Sequence, residues 1–320
     1  MIDEILDELI PQIPQGFVGM LILIAVIGVS LFVLGKGADI LVEEAVGIST
    51  KWGVPKMLIG ATIVSLGTTL PEVTVSVLAA VNGFPDLAMG NAVGSIICDT
   101  GLILGIATLI NPLPFKKEVV RRQSWIQFGA GMLLIITAFV FGGGFKSFNH
   151  GGNIPQFMGF AFLALLVLYI IRTIKSVKNS ESSTDLDGTD GKINASTLSL
   201  LIKLFLGIFI VVLSSKVLIP FVQEFAIRLN IPETIIAATL VAFGTSLPEL
   251  ITAITAARKG YGDLAIGNVL GADILNVLFV VGAAASVTKG GLNVDINFFH
   301  LLFPAMIFVL VVCKLAISFS

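Results

Sequence analysis

The residues from Gly60 to Gly105 align without a gap to those from Ala237 to Gly282, each pairing with the residue 177 positions later, and 19 of the 46 pairs are identical. The first copy reads "GATIVSLGTTLPEVTVSVLAAVNGFPDLAMGNAVGSIICDTGLILG" and the second "AATLVAFGTSLPELITAITAARKGYGDLAIGNVLGADILNVLFVVG". Each copy is apolar and long enough to cross a bilayer twice, since about 20 residues suffice for one crossing. The surroundings agree: 56% of the 320 residues are hydrophobic and 12% charged, where a soluble domain carries about twice that charge. The chain reads as an all-α, polytopic membrane protein. A net charge of −2 without a basic, aromatic-laced patch gives nucleic acid no purchase.

Apolar windows predict nine spans, near residues 17–41, 57–81, 86–110, 125–141, 157–174, 198–222, 231–257, 263–287 and 298–318. Five spans separate equivalent points of the two copies, an odd number, so the copies enter the membrane in opposite directions. Inverted repeats with interrupted helices are the construction of secondary transporters, with the site at the repeat interface near the midplane. The layout predicts a 5+5-type fold: residues 1–174 as an N-terminal half holding the first repeat, 175–196 as a linker, and 197–320 as a C-terminal half holding the second. The second half has four spans to the first half's five, so the chain is expected to lack a counterpart of the fifth, a tenth helix.

Lys and Arg collect on cytoplasmic loops. With the N-terminus outside, the inner loops and their flanks hold Lys51, Lys56, Lys116, Lys117, Arg121, Arg122, Arg172, Lys175, Lys178, Lys192, Arg258 and Lys259, and the outer loops only Lys146, Arg228 and Lys289. The linker is therefore expected in the cytoplasm and the protein in the cell membrane, multi-pass. Within the linker "DLDGTDG" lacks the spacing and closing Glu of a calcium loop and reads as solvated chain. The start, "MIDEILDELIPQIPQ", is acidic and broken by prolines, unlike a cleaved signal peptide. Cys98 and Cys313 sit in apolar runs, and His150 and His300 lie far apart, so no disulfide framework, soft-metal site or prosthetic group is expected.

The chemistry sits in "GTTLPE" and "GTSLPE". Pro71 cannot donate to the carbonyl of Gly67, nor Pro248 to that of Gly244, and bare carbonyls at membrane depth are tolerated only where they line a cavity. Thr68 and Thr69 stand four and three residues before Glu72, so one helix face offers hydroxyl and carboxylate together; Thr245, Ser246 and Glu249 do the same from the other direction. On the following spans Ser95 and Asp99 share a face, as do Ala272 and Asn276. These are hard oxygen donors, suited to Ca2+ or Na+. A carboxylate at the bilayer centre costs at least about 2.5 kcal/mol, and neither repeat core holds a Lys or Arg to pair with it, so a bound cation or a proton is the expected partner. Gly90, Gly94, Gly101, Gly105, Gly267 and Gly271 are expected to permit close helix packing.

The paired segments "GTTLPE … GNAVGS" and "GTSLPE … GNVLGA" resemble the two alpha-repeats of the sodium/calcium exchangers, within the calcium/cation antiporter superfamily. The resemblance implies ten helices around one Ca2+ site and several Na+ sites used alternately, with the peripheral first and sixth spans sliding against the core. It implies Glu72 and Glu249 as the main Ca2+ carboxylates, joined by the backbone oxygens of Thr68 and Thr245. It further implies Thr69, Ser246 and Ser95 as Na+-binding hydroxyls, the carbonyls of Ser65 and Ala242 as an outer Na+ site, and Asp99 and Asn276 facing one another at the centre. Two positions depart from the pattern: Ala272 replaces the usual serine and Asp273 the usual asparagine of "GSN". Calcium/proton antiporters of the superfamily carry an acid where this chain has Gly94, which favours Na+ as the counter-ion, although Asp99 and Asp273 leave proton coupling open. Electrogenic Ca2+/Na+ antiport is the leading expectation, Ca2+/H+ antiport the alternative and a cation channel a lesser one. Ca2+, Na+ and the bilayer are the expected partners, with no obligatory protein partner. An intramembrane hydrolase is disfavoured because no aspartyl or zinc signature appears.

Overall fold

A computed structural model describes residues 2–113, 117–178, 196–229 and 242–319. A short helix α1 (Ile2–Leu9) precedes α2 (Phe17–Trp52), followed by a bent pair, α3 (Lys56–Thr68) and α4 (Leu70–Val81), at 45° to one another. Then come α5 (Pro85–Ile110), α6 (Lys117–Phe141), strand β1 (Gly152–Ile154) and α7 (Gln156–Lys178). The chain continues with α8 (Thr197–Arg228), α9 (Ala242–Thr245), α10 (Leu247–Arg258), α11 (Gly262–Val287), β2 (Leu292–Val294) and α12 (Phe298–Ser318). Among the described residues seven helices are long and apolar enough to cross a membrane, and α3–α4 as one broken span makes eight. The expected span at 231–257 lies outside the described residues before Ala242, as does most of the linker with its "DLDGTDG" run.

Several helices outrun their apolar windows. The first span, expected to end at Leu41, continues to Trp52 because its charges find partners along the way: Glu44 pairs with Lys203 at 3.5 Å, and Asp39 and Glu43 with Lys259 at 2.9 and 2.7 Å. The fourth span starts at Lys117 rather than Trp125, and the sixth runs through Pro220 to Arg228. The acidic start, legible in sequence only as a non-signal, docks instead: Leu6 and Ile13 are buried with Leu23 and Phe221, and Arg228 donates to the carbonyls of Pro14 and Ile13 at 2.7 and 3.1 Å.

Helices α2 and α8 run antiparallel and closely paired. A Cβ on Gly37 would stand 2.7 Å from Ile210, and one on Gly207 2.7 Å from the Leu41 nitrogen, so glycine lets the two backbones approach. The same device joins the repeats. A Cβ on Gly267 would fall 2.2 Å from the Met57 carbonyl oxygen, on Gly271 2.5 Å from Ala61, and on Gly60 2.6 Å from the Leu264 oxygen. For Gly90, Gly94 and Gly105 the packing expectation finds no support, since among the described residues nothing comes within 4 Å.

The two repeats are covered unequally. In α11 94% of the most apolar window is buried, against 39% in α5. Helix α7 covers the C-terminal part of α11: Gly159 meets the Ser286 nitrogen and Gly282 oxygen, and Phe162 lies over Gly282. At the equivalent positions of α5, Gly105 is only half-buried and Leu109 is 88% exposed. β1 and β2 pair antiparallel, Asn153 opposite Asn293, and tie the loops before α7 and α12.

Candidate functional site

The helix breaks occur at equivalent residues. Thr69 has φ −79° and ψ −1°, Ser246 φ −82° and ψ 7°, both in the sparsely populated region between helix and strand. Each is followed by a leucine and then the proline, which starts α4 or α10 without demanding a partner for its missing N–H. The break turns Thr68, Thr69 and Glu72 inward: their exposures are 0, 0 and 1%, and Ser246 and Glu249 are each at 1%. Thr245 is partly buried.

The carboxylates reach across to the opposite repeat. The Thr69 hydroxyl donates to Glu249 Oε1 at 3.4 Å, and Thr68 also lies beside Glu249. Reciprocally, Thr245 lies beside Glu72, and Glu72 faces both Glu249 and Asp99. Asp99 stands near Ser246 without a hydrogen bond to it. The Ser65 carbonyl accepts from the Thr69 N–H at 2.9 Å and the Thr68 hydroxyl at 3.4 Å. Ala242 begins α9.

On the following helices the backbone adds a feature the sequence reading did not anticipate. Residues Cys98–Ile103 of α5 and Asn276–Val281 of α11 form π-helical turns, which recur at functional sites. Asp99 and Asn276, at equivalent positions, lie at the start of these turns and are each 1% exposed. Gly60–Val64 of α3 is wound the same way. Buried oxygens without a hydrogen-bond partner occur on the broken helices and on the helices that follow them: Glu72 Oε2, Glu249 Oε2, both oxygens of Asp99, Ser95 Oγ, Ser246 Oγ and Asn276 Oδ1. A buried polar atom left unpaired costs about 1–3 kcal/mol, more when charged, and oxygen-only donors suit a hard cation. Among the described residues no three His, Cys, Asp or Glu side chains gather into a metal cage, so hydroxyls and carbonyls must supply part of any coordination shell.

Two further side chains belong to this centre. Asn91 donates to the Glu72 carbonyl at 3.2 Å and to Ser76 Oγ at 3.0 Å, and accepts from Thr245 at 3.1 Å. Its counterpart Asn268 is fully buried with neither amide atom partnered. Their signal was present in the "GN" of both copies. Gln127, which donates to Asp273 and Thr100, lies outside the repeats, where self-comparison is blind. Cys98 and Cys313 are free thiols, and His300 bonds the Phe148 carbonyl at 2.8 Å.

The sodium/calcium exchanger protein family matches residues 22–175 and 199–320. The sodium/calcium exchanger MaX1 of Methanosarcina acetivorans is 33% identical over 285 residues, covering 79% of each chain. The inner membrane protein YrbG of Escherichia coli is 33% identical, covering 86% of this chain and 82% of its own. Solved structures of the sodium-calcium exchanger NCX_Mj superpose with a TM-score of 0.76 at 25% identity, covering 94% of this chain and 92% of that one.

Proposed function

The chain belongs to the sodium/calcium exchanger family, and from that premise we propose that it exchanges Ca2+ for Na+ by alternating access to a single oxygen-lined centre. It is a membrane antiporter of the cation/Ca2+ class and not an enzyme. The observation that carries the finer reading is the set of unpartnered buried oxygens contributed by both repeats.

In this reading Glu72 and Glu249 are the principal Ca2+ carboxylates, completed by the main-chain oxygens of Thr68 and Thr245. Na+ takes the hydroxyls of Thr69, Ser246 and Ser95, an outer Na+ the carbonyls of Ser65 and Ala242, and Asp99 and Asn276 line the centre. Ca2+ and Na+ then compete for shared oxygens, and competition is the coupling. The glycine-seamed pair α2–α8 is the moving body, and the halves 1–174 and 197–320 the two arms, joined by a cytoplasmic linker with the N-terminus outside. Unequal charge on the two legs makes transport electrogenic, at about 2.3 kcal/mol per net charge per 100 mV.

The test is ⁴⁵Ca²⁺ uptake into proteoliposomes under an outward Na+ gradient or an outward proton gradient, with voltage clamped by ionophore. Uptake driven by Na+ alone supports the reading. Uptake driven by protons alone replaces Na+ with H+ as the counter-ion.

A further inference from the structure

Asp273, which stands where the family pattern has an amide, has no part in the centre described above. It lies on α11, 2% exposed. Its Oδ2 accepts from the Thr100 hydroxyl and the Gln127 side-chain amide, and Gln127 also donates to Thr100 Oγ1 at 2.8 Å. Thr100 and Gln127 are themselves 6% and 2% exposed. The three side chains close a triangle in which both donors point at one oxygen.

A doubly accepting Oδ2 holds no proton itself, which leaves Oδ1 as the atom that carries a proton or faces a cation. The other oxygen, Oδ1, is buried with no partner at all, and Ser124, on the same face of α6 one turn before Gln127, has an unpartnered hydroxyl. None of the ion pairs among the described residues reaches Asp273. The ionisable groups facing it are Asp99 and Cys98 on α5 and Cys313 on α12, which supply no positive charge. A charge in this setting must be matched, since an isolated buried carboxylate is among the costliest groups to keep.

We propose that Asp273, held by Thr100 and Gln127, binds one monovalent cation, Na+ or a proton, at its Oδ1, apart from the Glu72–Glu249 centre. This deepens the exchange reading, because a cation bound here adds to the charge carried on the Na+ leg and enters the transport stoichiometry.

Two binding measurements on the purified full-length protein test it: equilibrium ²²Na⁺ binding, and proton release on adding Na+, followed with an indicator dye in weak buffer. Asp273→Asn is expected to lower at least one of them by a single ion per chain: a fall in Na+ binding, with or without a fall in proton release, marks a Na+ site, and a fall in proton release alone marks a proton displaced by Na+ bound elsewhere. Thr100→Val and Gln127→Leu retain the carboxylate and are expected to weaken the same signal about tenfold, each losing a hydrogen bond to a charged group. The double variant Glu72→Gln with Glu249→Gln is expected to lose ⁴⁵Ca²⁺ binding and keep the Asp273 signal. Identical counts in both measurements for Asp273→Asn and the unaltered protein overturn the proposal and leave the Ca2+ centre standing. Retained Ca2+ binding in the double glutamate variant overturns the exchange reading and leaves the Asp273 site standing.

Discussion

The hydroxyl of Thr69 donates to Oε1 of Glu249 at 3.4 Å across 180 positions of sequence, joining the break of one repeat to the carboxylate of the other. Neither repeat therefore owns a complete oxygen shell. Replacing either glutamate by its amide leaves a bound cation short of one carboxylate, and losing one partner of a buried charge pair costs about 3–5 kcal/mol, or roughly two to four orders of magnitude. Glu72→Gln and Glu249→Gln are each expected to abolish ⁴⁵Ca²⁺ exchange while eluting as folded protein. Unaltered rates in either would remove that residue from the site.

Ala272 is fully buried one turn before Asn276. Ala272→Ser adds a hydroxyl oxygen there, and the Na+ dependence of exchange is expected to shift toward lower Na+ concentration with a steeper slope. An unchanged slope and midpoint would count against an inner Na+ position beside Asn276.

Asn91 satisfies the Glu72 carbonyl, Ser76 and Thr245 at once. Asn91→Leu removes all three bonds; Ser76 keeps its bond to the Ala88 carbonyl at 3.2 Å, and a buried group left with no partner costs about 1–3 kcal/mol. Lower thermal stability together with weaker Ca2+ binding is expected, because Thr245 lies beside Glu72. Weaker stability with unchanged Ca2+ affinity would make Asn91 a purely structural tie.

Gly267→Ala drives a methyl to within 2.2 Å of the Met57 carbonyl oxygen, whereas among the described residues Gly105→Ala meets nothing within 4 Å. Overpacking of the first kind costs about 1–3 kcal/mol, while alanine in a helix gains up to about 1 kcal/mol over glycine. The melting temperature is expected to fall for Gly267→Ala and to hold or rise for Gly105→Ala. The reverse order would refute the packing asymmetry between α11 and α5.

Lys259 joins Asp39 and Glu43 of α2 to the loop after α10, with Glu43 exposed and Asp39 and Lys259 partly so. Lys259→Met is expected to cost under about 1 kcal/mol and less at high salt. A larger, salt-insensitive loss would mean that α2 depends on this contact to stay against the core.

Much of the fold and the site was written at the 177-residue offset. The bend at Thr69 followed from Pro71, and the inward acids followed from their lack of basic partners. The π turns at Cys98–Ile103 and Asn276–Val281 were not legible, because a single extra residue in a helix leaves apolar periodicity almost unchanged. Helix ends were misjudged where charges continue a helix by pairing sideways, as Glu44 and Lys203 do. Gln127 escaped because nothing in α6 repeats, and the unequal burial of α5 and α11 escaped because sequence similarity carries no record of which neighbour covers which face.

The contact of Gly267 and Gly271 with Met57 and Ala61 also bears on how the protein is made. A ribosome delivers α3, α4 and α5 to the bilayer well before α11 exists, so Glu72, Ser95 and Asp99 enter lipid with the surfaces that will bury them still unsynthesised. Until the second repeat arrives and slots its glycine face against α3, the early helices must wait beside the insertion machinery or lean on water and ions for their polar groups. Burial of these groups is thus complete only once the second repeat is made, and a nascent chain halted before α11 should be a substrate for membrane quality control.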